Sequence, residues 1–214
     1  MSRPYKEFQY LYPPRPEHVL SSDRLPYYEK DGWVAQYKKN GTCTIVATGP
    51  DGKGGMQFIA MNRHKENHKA WQLTTDIKEA LSKLLPHHCW TVLVGEILHS
   101  KTPTIKNTIF FHDILVMNGE YLLDTTFAQR QIWLTALLPS NVESYSHYAV
   151  TEHVWRAKLL VKDFAKHFES IKNQVVDEGL VLKKPNAKLK MCDSEKTNSG
   201  WQAKVRYAKK HYAH

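Results

Sequence analysis

The stretch DEGLVLKKP, residues 177–185, sets two acids and a glycine ahead of an apolar run and closes it with two lysines and a proline. A short run of branched apolar residues ended by proline reads as a strand. An acid placed directly before such a glycine-led strand falls at a pocket rim, which makes Glu178 a candidate functional group.

Working outward, WVAQYKK (33–39) and TCTIVAT (42–48) flank Asn40-Gly41 and predict a hairpin, because this pair suits a tight turn. GPDGKGG (49–55) follows as a flexible loop, too irregular for a phosphate-binding loop. In TDIKEALSKLL (75–85), Ile77, Ala80, Leu81, Leu84 and Leu85 fall at helical spacing, with Thr75 or Asp76 as N-cap. WTVLVGEIL (90–98), NTIFFHDILVM (107–117) and EYLLD (120–124) read as strands, the last two joined by Asn118-Gly119. The apolar stripe Val154, Ala157, Val161, Phe164 and Phe168 predicts a second helix from about Glu152 to Lys172. A lysine-rich loop and GWQAKVRYAKK (200–210) complete a strand-dominated α+β order, without the regular alternation of a doubly wound sheet. Residues 1–26, with YPPRP at 12–16, predict an extended segment packed on a single domain of residues 27–214.

The 214 residues are 42% hydrophobic and 24% charged, enough to bury a core. No apolar run is long enough to span a bilayer and no signal-peptide pattern opens the chain, so the expectation is a soluble, cytoplasmic protein without a membrane partner. Three scattered cysteines, Cys43, Cys89 and Cys192, suggest reduced thiols. The i, i+4 pair His64 and His68 lacks a nearby third ligand for zinc. The formal charge of +9 favours a polyanionic partner, nucleic acid or nucleotide. Basic residues are densest toward the C-terminus, at Lys183, Lys184, Lys188, Lys190, Lys196, Lys204, Arg206, Lys209 and Lys210.

Five segments then fall in one order: EKDG (29–32), LVGEIL (93–98), FFHDIL (110–115), DEGLVLKKP (177–185) and WQAKVRY (201–207). The ordered set resembles the nucleotidyltransferase domain of the covalent nucleotidyltransferase superfamily, closest to compact phage-type ATP-dependent DNA ligases, over residues 25–208. The resemblance implies an adenylation domain of antiparallel sheets with flanking helices and no OB-fold domain. It implies ATP and Mg²⁺ as cofactors, nicked duplex DNA as partner, and a monomer. The implied chemistry is attack of a lysine amine on the α-phosphate of ATP, transfer of AMP to a 5′-phosphate and its displacement by a 3′-hydroxyl.

Residue by residue, the resemblance makes Glu96 a ribose or metal contact, Glu178 the metal-binding acid, Lys183 a phosphate contact, and Lys204 with Arg206 the paired cations of the last motif. His112 stands where an aromatic usually precedes the aspartate, so Phe110 or Phe111 becomes the adenine-stacking ring, with Phe111 the choice. The first motif, Lys-x-Asp-Gly-x-Arg, departs most. Set on Asp31-Gly32 it puts Glu29 at the lysine position and Val34 at the arginine position. Either a loop shortened by one residue leaves Lys30 as the nucleophile, or Glu29 marks a lost one. In the second case the chain binds nucleic acid without adenylating itself; RNA joining is a further alternative.

Overall fold

The computed structural model describes residues 3–207; Lys209 and Lys210 of the basic tail lie outside them. Thirteen strands and four helices follow in chain order. They are β1 Arg3–Pro4, β2 Arg15–Val19, α1 Leu25–Lys30, β3 Val34–Lys39, β4 Thr42–Pro50, β5 Met56–Asn62, α2 Thr75–Leu84, β6 Thr91–Leu98 and β7 Thr108–Met117. Then come β8 Glu120–Tyr121, α3 Phe127–Leu137, β9 Val142–Glu143, β10 His147–Ala149, β11 Val154–Ala157, α4 Phe164–Ser170, β12 Asp177–Lys183 and β13 Asn198–Arg206. None of these helices is long and apolar enough to cross a membrane.

The strands form two sheets. The larger runs β5-β4-β6-β7-β11-β10-β9, with β8 on β7 and β1 on β8; the smaller runs β2-β13-β12-β3. Pairing is antiparallel except at β7–β11 and β2–β13. One core lies beneath the larger sheet, where Ile77 and Leu81 of α2 and Leu134 of α3 meet Val92, Phe111 and Leu115. A second lies behind the smaller sheet. There Ala35, Tyr37, Leu180, Leu182, Ala203 and Val205 pack on Leu25 of α1 and Phe164 and Phe168 of α4. Period-two alternation then turns the intervening residues, Gln36, Lys38, Val181, Lys183, Gln202, Lys204 and Arg206, to the opposite face.

The most consequential departure from the sequence reading is at Asn40-Gly41. β3 and β4 are not a hairpin: β3 pairs with β12, whereas β4 pairs with β5 and β6. Asn40-Gly41 is therefore the crossing point between the sheets. Close backbone approach requires this glycine, since a Cβ on Gly41 would stand 2.8 Å from the Ile97 carbonyl oxygen. Asn118-Gly119, by contrast, is the expected turn, with φ of 52° and 71° between β7 and β8.

Other boundaries also shift. Thr74, not Thr75 or Asp76, caps α2 by accepting from the Ile77 amide. The long helix over 152–172 is divided: Val154–Ala157 becomes β11 beside β7, Val161 is exposed, and only Phe164–Ser170 is helical. Helix α3, absent from the sequence reading, begins at a capping box in which Thr126 and Gln129 satisfy each other's backbone amides. The LPYYEKDG stretch is α1, entered through Pro26 and ended at Gly32 with φ +73°.

Candidate active site

Between the two sheets opens a cavity of about 400 Å³. Sheet register decides what lines it. Across the smaller sheet, one row reads Lys204-Val181-Gln36 and the next Arg206-Gly179-Lys38. The larger sheet contributes Val94 and Glu96 from β6 and Phe110 and His112 from β7. The mouth is edged by Pro13 to Pro16 of the N-terminal segment, Arg63, His64, Lys101 and Glu195. His64 pairs with Glu195, while His68 meets the Thr44 hydroxyl at 3.1 Å.

Lys38 and Glu178 meet inside the cavity as an ion pair. The β3–β12 pairing passes from Asp177–Lys39 to Gly179–Lys38, a bulge centred on Glu178. Gly179 permits the close strand approach beside it: a Cβ there would lie 2.0 Å from the Val205 carbonyl oxygen. On the reverse side Lys39 is fully buried, 2.7 Å from Asp177 and from Ser146 Oγ. Burial lowers the Lys39 pKa, and Asp177 opposes that shift.

The charges of the cavity perturb one another. Burial raises the Glu96 carboxyl to about 7, against the opposing pull of Lys38 and Lys101. Burial lowers the Lys183 ammonium to about 8, with Asp113 opposing. Lys204 is lowered by burial and by the neighbouring cations Lys38, Arg206, Arg15 and Arg63. Burial, reinforced by Lys183, lowers His112 to about 3, so its imidazole is neutral at ordinary pH. Beneath His112 the buried Asp113 accepts from Arg130 at 2.8 and 3.1 Å, which fixes α3 against β7.

Of the residues singled out in the sequence, Glu96, Glu178, Lys183, Lys204 and Arg206 come together here. The EKDG residues do not. Lys30 is exposed on α1 and faces a separate shallow depression with Val161, Asp163 and Lys166. Glu29 accepts from the Phe164 amide at 2.9 Å, joining α1 to α4, and Asp31 accepts from Trp33 Nε1 at 2.9 Å. The Asp31-Gly32 pair is the stop of α1, with Gly32 at φ +73°. Phe111 is also displaced: it is fully buried in the core of the larger sheet, and Phe110 and His112 face the cavity instead.

Lys38, which the sequence motifs did not single out, lines the cavity beside Glu178. Its signal was present, since Lys38-Lys39-Asn40-Gly41 repeats the Lys-x-Asp-Gly spacing with asparagine for aspartate, and Cys43 falls at the arginine position. Reading Asn40-Gly41 as a hairpin turn concealed it. Among the described residues no group of three or more His, Cys, Asp or Glu side chains is placed to hold a metal ion. Glu96 and Glu178 offer two hard oxygen ligands in one cavity, and the like charge of Glu178 adds a lesser push to the rise that burial gives Glu96.

No family model matches the chain, and no curated protein matches it. Solved structures do. The ligase domain of M. tuberculosis LigD aligns with a TM-score of 0.63 at 17% identity, over 93% of this chain and 61% of that one. A mycobacterial DNA ligase D complexed with ATP and MES gives 0.56 at 17% identity, over 82% and 54%. The ATP-dependent DNA ligase from bacteriophage T7, in complex with ATP, gives 0.52 at 13% identity, over 91% and 68%. The chain thus spans 54% and 61% of the two mycobacterial chains. With its two sheets, few flanking helices and the cavity between, the chain has the fold of the nucleotidyltransferase domain of ATP-dependent DNA ligases.

Proposed function

We propose that the chain is an ATP-dependent polynucleotide ligase-type nucleotidyltransferase that works on nicked duplex DNA, with Lys38 as its nucleophile. The observation that carries this reading is the position of Lys38: in the cavity, paired with Glu178, three residues before Gly41 crosses between the sheets. After losing a proton, Lys38 Nζ attacks the α-phosphorus of ATP. A P–N bond forms, the bond to the β-phosphate oxygen breaks, and pyrophosphate leaves. The AMP passes from the lysine to a strand 5′-phosphate, and a 3′-hydroxyl displaces it as the phosphodiester forms.

Glu178 beside Lys38 orients the amine and offers a proton acceptor. Lys183, Lys204 and Arg206 present cationic donors to phosphate oxygens as negative charge develops. Glu96 and Glu178 would hold Mg²⁺, which when bound supplies charge neutralisation at the phosphates. Arg15, Arg63 and Lys101 at the mouth extend the basic surface toward a polyanionic strand.

The test is retention of label after incubation with Mg²⁺ and α-labelled ATP followed by denaturation. Wild type and Lys30→Ala are expected to keep one AMP per chain, and Lys38→Ala none. Label that survives Lys38→Ala but is lost in Lys30→Ala would return the nucleophile to α1. Absence of label in all three would reject self-adenylation.

A further inference from the structure

Two lysines and two acids face each other where β3 meets β12, and the sheet sorts them into separate pairs. Lys38 meets Glu178 in the cavity, and Lys39 meets Asp177 on the buried side. The proposed function uses the first pair and leaves the second without a task. The Lys39 side chain is fully buried. Its Nζ lies 2.7 Å from Asp177 Oδ1, donates to Ser146 Oγ at 2.7 Å, and stands 5.0 Å from the Phe110 ring and 5.8 Å from the Trp155 ring. The nearby His147 is pushed down to about 4 by burial and by Lys39, so it is neutral at ordinary pH. Among the described residues Asp177 is the one carboxylate within ion-pair distance of the Lys39 ammonium. Asp177 itself lies outside the cavity lining.

Register links the two pairs. Counted on from Gly179–Lys38, an unbroken ladder would set Glu178 opposite Lys39 and Asp177 opposite Asn40. Directly opposed residues share a face and successive ones alternate, so in that ladder Glu178 would point to the buried side, away from Lys38. The bulge reverses the assignment: it gives Lys39 to Asp177 and keeps Glu178 in the cavity. Asp177–Lys39 is the last pair of this ladder, and the backbone hydrogen bond from the Asn40 amide to the Val176 carbonyl, at 2.7 Å, lies beyond it. A change between the two ladders therefore re-pairs only this end.

A buried ammonium without a counter-charge is unfavourable, so Lys39 draws whichever carboxylate the ladder offers it. We infer that Asp177 is a positioning residue: by occupying Lys39 it keeps that lysine from capturing Glu178, and so leaves the Glu178 carboxylate beside Lys38. This rests on the reading of Lys38 as nucleophile with Glu178 as its acid.

The test starts with Asp177→Leu, which leaves Lys39 unpaired and makes Glu178 its nearest replacement. The rate constant of AMP capture, taken per competent chain from the amplitude of labelling, is expected to fall at least about tenfold, toward that of Glu178→Ala. Adding Glu178→Ala to Asp177→Leu should lower it no further, within about threefold, because the acid has already left Lys38. Adding Lys39→Met to Asp177→Leu should instead return it to within about threefold of wild type, since no buried ammonium remains to draw Glu178 inward. A purely structural role would lower the amplitude or the melting temperature, not the rate constant, and the effects of Asp177→Leu and Glu178→Ala would then multiply. Asp177→Asn, which keeps the side-chain volume, provides the same test should Asp177→Leu not fold. An unchanged rate constant in the folded variant, or no recovery on removing Lys39, would overturn the inference. Absence of labelling in wild type would reject the nucleophile and pass the decision to a crystal structure of the variant: Glu178 turned to Lys39 upholds the inference, and Glu178 still beside Lys38 overturns it.

Discussion

Lys38 and Glu178 form an ion pair across β3 and β12, at the bulge where the pairing passes from Lys39–Asp177 to Lys38–Gly179. The lysine and its acid are about 140 positions apart in the chain and adjacent in the cavity. Only the register of the smaller sheet brings them together.

Glu178→Ala removes the acid paired with Lys38 and one of the two carboxylates proposed to hold Mg²⁺. The rate of AMP capture is expected to fall about a hundredfold or more. The initial rate of label incorporation checks this, and a rate within about threefold of wild type would exclude the role.

Glu96 gives the chain a distinctive pH response. Its carboxyl, raised from 4.5 to about 7, binds a proton more tightly in the native state than in the unfolded one. Stability is therefore lost as pH rises through that window. Glu96→Gln removes the ionisation, so its stability relative to wild type should improve by about 2 kcal/mol between about pH 5 and pH 8. Denaturant melts at the two pH values measure it; a constant difference would place the perturbation elsewhere.

Arg130 is fully buried and makes two hydrogen bonds to Asp113. Arg130→Met leaves the Asp113 carboxylate buried without its counter-charge, which should cost about 3–5 kcal/mol in urea unfolding. Replacing both partners, as Asp113→Leu with Arg130→Met, should recover part of the loss, because the unpaired carboxylate is gone while buried Lys183 loses the opposing charge of Asp113. A double variant no better than the single one would mean that the pair's hydrogen bonds outweigh the desolvation of its charges.

Gly179→Ala directs a Cβ into the Val205 backbone. The β12–β13 ladder must separate to admit it, at an expected loss of at least about 2 kcal/mol. Thermal melts of the variant test whether the strands can relax.

Lys204 and Arg206 share the cavity face of β13. If they contact strand phosphates, Lys204→Ala and Arg206→Ala should each reduce the slope of log affinity against log salt for nicked duplex DNA by about one, uniformly across sequences. Unchanged slopes would assign the two cations to the nucleotide alone.

Local chemistry in the sequence determined the strand-rich α+β class, helix α2, the Asn118-Gly119 turn and the segments carrying Glu96, Glu178, Lys183, Lys204 and Arg206. Each depends on periodicity or turn chemistry within a few residues, and the order of the segments carried the resemblance to ligase-type domains. Tertiary structure decided the rest. Asn40-Gly41 has the composition of a hairpin turn, but β3 is recruited by β12 and β4 by β6, which turns the pair into a crossover and brings Lys38 into the cavity. Asp31-Gly32 has the composition of a catalytic motif, yet the left-handed Gly32 ends α1 and leaves Lys30 in solvent. Phe110 and Phe111 are equivalent in the sequence until the sheet assigns one to the cavity and the other to the core. The stripe at 152–172 fits a helix, and β7 takes its first half as a strand. In each case the local pattern allowed more than one partner, and the sheet registers, which join residues far apart in the chain, selected one.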